Sequence, residues 1–131
     1  MIVIDASAAV DRLIGRDARA EWIGERLRGE AAVQVPALFD VEVLHSLRGL
    51  EASGLAGPVL SIALTGFAAL RATRHHHGPF RSRIWALRHN LTAYDAAYVA
   101  LAEALGAPLV TSDARLARSS GHEAQIELAP T

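Results

Sequence analysis

The chain has 131 residues, a formal net charge of −1 and 51% hydrophobic residues, which suffices for the core of one domain over residues 1–131. It contains no cysteine, which excludes disulfides, thiolate catalysis and zinc–thiolate sites and is typical of a cytoplasmic protein. All thirteen basic residues are arginine, which disfavours phosphatases and receiver domains that depend on a lysine.

Short apolar runs alternate with longer helical patterns along the chain. The apolar runs predict strands at Ile2–Ile4, Val33–Val35, Leu70–Thr73, Pro108–Thr111 and Gln125–Leu128. Helices are predicted at residues 7–14 and 18–28, from Pro36 to about Ser53, at residues 58–68, from Pro79 to about His89, from the N-cap Thr92 to Gly106, and as a brief turn at Ala114–Arg118. This alternation indicates βαβ units and an α/β fold whose small parallel sheet is covered on both faces.

Residues 52–70 carry no charge, and their length raises the possibility of a transmembrane helix. Gly54, Gly57 and Pro58 interrupt the segment, so we interpret it as a loop followed by a buried helix and expect no association with a membrane. A helix that forms a protein interface has the same pattern.

Two aspartates lie at the carboxyl ends of predicted strands. Asp5 comes after the first strand in Asp5-Ala6-Ser7, and Asp113 comes after another in Thr111-Ser112-Asp113. Because ligands bind beyond the carboxyl ends of parallel strands, the repeated pattern indicates a shared site. For either aspartate alone, an N-cap of the next helix is the more ordinary interpretation.

Two further carboxylates stand among apolar residues. Asp95 has the capping-box spacing from Thr92, but the helix that follows is apolar through Ala102 and should be buried, so its first turn points into the protein or a cleft. Glu42 is the only charge in Val41–Leu44, and alone it is typical of a snorkelling surface residue. Four gathered carboxylates repel one another unless cations neutralise them, and oxygen ligands favour Mg²⁺ or Mn²⁺.

Basic residues are concentrated in one part of the chain. No acidic residue occurs between Glu51 and Asp95, and this span contains the arginines Arg71, Arg74, Arg81, Arg83 and Arg88. Arginine binds phosphates bidentately without reading sequence, so the segment is a candidate RNA-binding surface. Phe80 and Trp85 lie within it and could stack on bases, although a Trp is more often part of the core. The triplet His75–His77 is interpreted as a loop.

Taken in order, these motifs resemble the PIN-domain toxins of the VapC type. Four stretches of the chain carry the resemblance. They are the strand and Asp-x-Ser start at Ile2–Ser7, Val35–Leu38 before the helix with Glu42, the segment Asn90–Glu103, and the C-terminal motif Leu109–Leu116. The resemblance implies a three-layer α/β/α sandwich, and an Mg²⁺- or Mn²⁺-dependent endoribonuclease that cuts structured RNA such as transfer or ribosomal RNA. It also implies a homodimer and a cognate VapB-type antitoxin.

The resemblance also implies roles for particular residues. Carried over by motif, Asp5, Glu42, Asp95 and Asp113 are the catalytic and metal-binding acids, and Ser7 and Thr111 support them. Some PIN domains have a further acid shortly after the last aspartate, where this chain has Ala114–Leu116. We therefore expect either two ions or one well-held ion, with a second arriving with the substrate.

Two other functions fit parts of the pattern. A non-catalytic PIN-like module that binds RNA or a partner peptide would need the arginines but not four converging acids. A small phosphatase or sugar-phosphate enzyme would use the same sheet edge, but the absence of lysine counts against it.

Overall fold

The structure is a computed structural model that describes residues Met1–Thr131. Its centre is a sheet of five short strands. These are β1 (Val3–Ile4), β2 (Val33–Pro36), β3 (Ala72–His75), β4 (Leu109–Thr111) and β5 (Ile126–Leu128). All neighbouring strands are parallel, in the order β3-β2-β1-β4-β5. The direction of the winding therefore reverses between β1 and β4, and in such sheets the crevice at this switch point is where ligands bind.

Helices cover both faces of the sheet. They are α1 (Ala6–Ile14), α2 (Ala18–Leu27), α3 (Phe39–Ala52), α4 (Gly57–Ala69), α5 (Arg81–Ala86), α6 (Ala93–Leu105) and α7 (Ala114–Ala117). Because crossovers between parallel strands are right-handed, α1 to α4 lie on one face and α5 to α7 on the other. In agreement, α1 contacts α2, α3 and α4, whereas α6 packs on β1, β2 and β4 beside α5. The predicted three-layer sandwich with a parallel sheet is confirmed.

Helix α6 is the most deeply buried helix, as its apolar sequence predicted. Every residue from Ala96 to Ala102 is buried. Val99 and Leu101 are completely enclosed, and burying such a side chain contributes about 1.5–3 kcal/mol. Thr92 caps the start of the helix, and Gly106 ends it with a φ of 60°, a conformation that favours glycine. Both predicted ends of this helix are confirmed.

The predicted start of the third helix at Pro36 is wrong. Pro36 is the last residue of β2, opposite His75, and α3 begins only at Phe39. The ladder continues one residue further, because the backbone N–H of Ala37 donates to the carbonyl of His75 at 2.8 Å. Strand pairing therefore prevails over the preference of proline for the first turn of a helix.

Strand β3 lies two residues later than the predicted Leu70–Thr73. Leu70 instead ends α4 and packs against the core, and the ladder begins where the N–H of Val33 donates to the carbonyl of Arg71 at 3.0 Å. As an edge strand, β3 accommodates polar residues that an apolar pattern cannot reveal. One of them, His75, belongs to this strand rather than to a loop and hydrogen-bonds Gln34 at 2.7 Å.

The single helix predicted from Pro79 to His89 is also wrong. A 3₁₀ turn over Gly78–Phe80 leads into α5, which has only six residues. Leu87, immediately after this helix, is the residue that enters the core. Trp85 points outward and is 67% exposed, contrary to its expected place in the core, and the guanidinium of Arg88 lies 4.4 Å from its ring centre.

Helix α4 is not the buried helix that its uncharged sequence predicted. Ala63 is its only buried residue, whereas Ile62 is 56% exposed and Leu64 is 42% exposed. The alternative interpretation, an interface helix, fits this exposure. No helix combines the length and the apolar character needed to cross a membrane.

Candidate active site

The four acids singled out in the sequence line one open cleft of about 610 Å³ at the switch point of the sheet. Asp5 directly follows β1, and Asp113 follows β4 after one intervening residue. Glu42 lies in the first turn of α3 and Asp95 in the first turn of α6. A larger cavity, about 940 Å³, lies between α1, α2 and α4 and contains none of these acids.

Asp5 is held by a hydrogen-bond network that joins the ends of β1 and β4. Its Oδ1 accepts from the Ala8 backbone N–H at 2.9 Å and from the Ser7 hydroxyl at 2.7 Å. Its Oδ2 accepts from the Thr111 hydroxyl at 2.5 Å. The N-cap interpretation of Asp5 is therefore correct, but capping uses only one of its two oxygens.

The two hydroxyls are oriented by the same network. Thr111 is completely buried, and its Oγ1 accepts from the Asp113 N–H at 2.9 Å. Ser7 Oγ accepts from the Ser112 N–H at 3.1 Å. The two hydroxyl oxygens lie 3.3 Å apart, but each directs its one proton to Asp5. Both hydroxyls therefore hydrogen-bond the carboxylate of Asp5.

The charge on Asp5 is costly in this environment. Burial raises its pKa from 3.8 to about 6, the hydrogen bonds from Thr111, Ala8 and Ser7 lower it, and the negative charge of Asp95 raises it further. A nearby cation would reverse this cost by stabilising the ionised form.

Glu42 is half-buried and tethered by a residue that sequence reasoning had assigned only to the core. The Tyr98 hydroxyl donates to Glu42 Oε1 at 2.6 Å, which leaves Oε2 free of protein hydrogen bonds. Burial raises the pKa of Glu42, Tyr98 lowers it, and Asp95 raises it. The spacing of Tyr98 three residues after Asp95 was the available signal, because i and i+3 share one face of a helix.

Asp113 and Asp95 form the more exposed side of the cleft. Asp113 Oδ1 caps α7 by accepting from the backbone of Arg115 at 2.9 Å and of Leu116 at 3.3 Å. The guanidinium of Arg115 then bridges Asp113 Oδ2 at 3.2 Å and Asp95 Oδ2 at 3.3 Å. For Asp95, burial raises the pKa, Arg115 lowers it and Asp113 raises it again. Arg115 was not among the expected site residues.

The donor set fits Mg²⁺ or Mn²⁺ in its chemistry, because it offers carboxylate oxygens and no sulfur. Asp95 raises the pKa of both Asp5 and Glu42, so the acids interact across the cleft. As the side chains stand, no three acidic or histidine side chains converge closely enough to hold a metal ion. Holding an ion there would require the side chains to rotate, and those of Asp95 and Asp113 are partly exposed.

Two of the five arginines between Glu51 and Asp95 form ion pairs with acidic residues from other parts of the chain. Arg74 forms a bidentate pair with Asp40 at 2.5 and 2.8 Å, and Arg83 forms one with Glu103 at 2.8 Å for both bonds. These arginines lower the pKa of Asp40 and Glu103, respectively. The other three arginines of the segment are exposed and have no ion pair: Arg71, Arg81 and Arg88.

Comparisons with known proteins agree with this geometry. A model of the PIN domain matches residues 2–121. The chain is 46% identical to Ribonuclease VapC12 of Mycobacterium tuberculosis strain H37Rv, over 98% of both chains. It is 41% identical to Ribonuclease VapC1 of the same strain, over 96% of both chains, and 41% identical to Ribonuclease VapC9, over 99% of both.

A solved structure shares the fold at low sequence identity. The crystal structure of PAE2754 from Pyrobaculum aerophilum superposes with a TM-score of 0.68, covering 95% of this chain and 81% of that one at 21% identity. The order of the motifs, the acids at the switch point and the full-length similarity lead to one assignment. The chain belongs to the PIN-domain family and, within it, to the VapC group.

Proposed function

We propose that this protein is an Mg²⁺- or Mn²⁺-dependent endoribonuclease. The observation that carries the proposal is that carboxylates from four separate elements face one cleft, where burial and their own repulsion raise the pKa of three of them. Such a cluster destabilises the fold unless cations neutralise it, and it is typical of functional sites. Relatives named as ribonucleases over nearly the whole chain support the reaction class.

The chain's own residues have distinct roles in this proposal. Asp5, Asp95 and Asp113 would hold the ion, which would lower the pKa of a water molecule and neutralise charge at the leaving oxygen of the phosphodiester. Ser7 and Thr111 fix the orientation of Asp5. Glu42, with Oε1 held by Tyr98, completes the set directly or through a water with Oε2.

The residues that follow Asp113 bear on the number of metal ions that the site would hold. Residues 114–116 add no acid after Asp113, so the chain alone offers ligands for one well-held ion. A second position would be completed by a phosphate of the RNA. We therefore expect the resting protein to hold one ion.

We propose that the RNA is structured, such as transfer or ribosomal RNA, and lies along the free arginines of the segment. Arg71 and Arg81 are exposed without an acidic partner, so their guanidinium groups can bind phosphate. Arg88 lies against the exposed ring of Trp85, a combination that can stack on an unpaired base. Arg74 and Arg83 must first leave their carboxylates to take part.

We further propose that the protein is the toxin of a toxin–antitoxin pair, forms a homodimer and is inhibited by a VapB-type antitoxin. The names of the relatives support the pairing. Large apolar side chains on α3 and α4 are exposed and fit surfaces that a second chain covers: Val41 at 70%, Leu44 at 48%, Ile62 at 56% and Leu64 at 42%.

Replacing Asp95→Asn tests the proposal. We expect Mg²⁺-dependent cleavage of transfer RNA to fall by about 100-fold or more, since even residues that only support metal ligands typically cost 10- to 100-fold. The fold should survive, because Thr92 and not Asp95 caps α6. Cleavage is followed on gels with and without chelator, and folding by circular dichroism.

Glu51→Gln is the matched control, because it removes the same charge from an exposed position outside the cleft. It should cleave like the parent protein. Unchanged cleavage by Asp95→Asn would refute the site. If the parent protein binds RNA but neither takes up Mn²⁺ nor cleaves, the non-catalytic binding module is the correct function.

A further inference from the structure

The guanidinium of Arg115 lies where a cation is needed between two acids. Its Nη2 is 3.3 Å from Asp95 Oδ2 and 3.2 Å from Asp113 Oδ2, so one nitrogen serves both carboxylates. The chain holds it there by local structure, because Asp113 Oδ1 caps α7 through the backbone of Arg115. The cap places the side chain of Arg115 beside the carboxylate that begins its own helix.

The other cleft acids already have protein donors. Asp5 accepts three hydrogen bonds, and Glu42 accepts one from Tyr98. Asp95 and Asp113 are different, because each outward oxygen has only Arg115 as a partner. Arginine stays charged at any ordinary pH, so this contact ends only when the side chain moves away.

We propose that Arg115 is an intramolecular counter-cation that neutralises Asp95 and Asp113 in the metal-free protein and is displaced when a divalent ion binds. This inference rests on the proposed metal site. The Arg115 side chain is 71% exposed and makes no other side-chain hydrogen bond, so it can swing into solvent without breaking further contacts. Arg115 thus lowers the affinity for the ion by competing for the same oxygens.

Titration calorimetry with Mn²⁺ tests this role without any measurement of cleavage. Replacing Arg115→Gln removes the competitor, and because the contacts are exposed we expect Mn²⁺ to bind about three- to tenfold more tightly. Replacing Arg115→Lys keeps the charge and should leave the affinity close to that of the parent protein. Circular dichroism checks folding, and the backbone cap of α7 does not depend on the side chain of residue 115.

Arg118→Gln is the matched control, since it removes the same charge from an exposed position at the end of α7 that contacts neither acid. Its affinity for Mn²⁺ should stay close to that of the parent. Equal or weaker binding by Arg115→Gln, or an equal gain in Arg118→Gln, overturns the competition while leaving the metal site intact. Absence of Mn²⁺ binding in every variant overturns both the competition and the proposed metal dependence.

Discussion

The two walls of the cleft are held in different ways. The inner wall, formed by Asp5, Ser7 and Thr111, is a network of short hydrogen bonds between the ends of β1 and β4. The outer wall, formed by Asp95, Asp113 and Arg115, is more exposed and depends on one bridging guanidinium. A buried, fully bonded carboxylate keeps its orientation, whereas an exposed ion pair contributes little and rearranges easily. The cleft thus combines one carboxylate of fixed orientation with two whose partner can move away.

The largest expected effect concerns the charge of Asp5. Its pKa is about 6 in the folded protein against an ordinary 3.8, so the folded state binds the proton more tightly than the unfolded state. The contribution of Asp5 to stability should therefore be most favourable below pH 4, fall as the pH rises through 4 to 6, and level off above that, by about 3 kcal/mol in all. Asp5→Asn cannot ionise, so it should lose this part of the pH dependence.

Urea unfolding between pH 3.5 and 8 in the presence of a chelator measures this effect. Asp17→Asn is the matched control, because Asp17 caps α2 through the same kind of bond, from the Ala20 N–H at 3.0 Å, but is exposed. It should keep the pH dependence of the parent. The same dependence in Asp5→Asn would show that another group is responsible.

A smaller effect is expected from removing the hydroxyl that links the two strands of the inner wall. Thr111→Val keeps the shape but leaves Asp5 Oδ2 without its donor and the Asp113 N–H without its acceptor. We expect a loss of about 1–3 kcal/mol at pH 7. Because the Thr111 bond lowers the pKa of Asp5 in the folded state, its loss should also extend the fall of stability to higher pH.

The measurement is again urea unfolding across pH. Thr73→Val, an exposed residue of β3, is the control and should change stability by less than about 0.5 kcal/mol. Equal stability of Thr111→Val and Thr73→Val would mean that the hydrogen bonds of the inner wall stabilise the fold no more than an exposed residue does.

The smallest effect should come from Tyr98→Phe, at the junction of core and cleft. The loss of the bond to Glu42 should cost about 0.5–1.5 kcal/mol. Under the proposed function it should also reduce cleavage by about tenfold, which is the range expected for a residue that orients a metal ligand. The pKa of Tyr98 is raised well above its ordinary value by burial and by Glu42, so its hydroxyl remains a donor at all working pH values.

Tyr94→Phe is the control for this variant, since the Tyr94 side chain lines the same cleft and is 64% exposed. Denaturant unfolding and cleavage rates should both be unaffected by it. If Tyr98→Phe behaves in the same way, the tether of Glu42 has no part in the site.

Local signals in the sequence were sufficient for much of the fold. Apolar runs located β1 and β4, and Thr92 and Gly106 marked both ends of α6. These elements follow from periodicity and capping, which act over a few residues. Edge strand β3 was misplaced because its polar residues owe their conformation to pairing with β2, nearly forty residues away in the chain. Trp85 was misplaced because a short helix near the surface has no periodic pattern to show which side faces the core.

The sequence by itself determined that Asp5 and Asp113 stand at strand ends, since each lies within two residues of its strand and needs no distant partner to be recognised. The resemblance predicted that Glu42 and Asp95 join them, and in the tertiary structure all four acids line one cleft. Only the tertiary structure decided that Arg115 bridges two acids and that Asp40 and Glu103 neutralise distant arginines. The physical reason is that side-chain charges act through space. Winding the chain around one sheet brings together groups that are 20 or more residues apart, as with Arg115 and Asp95.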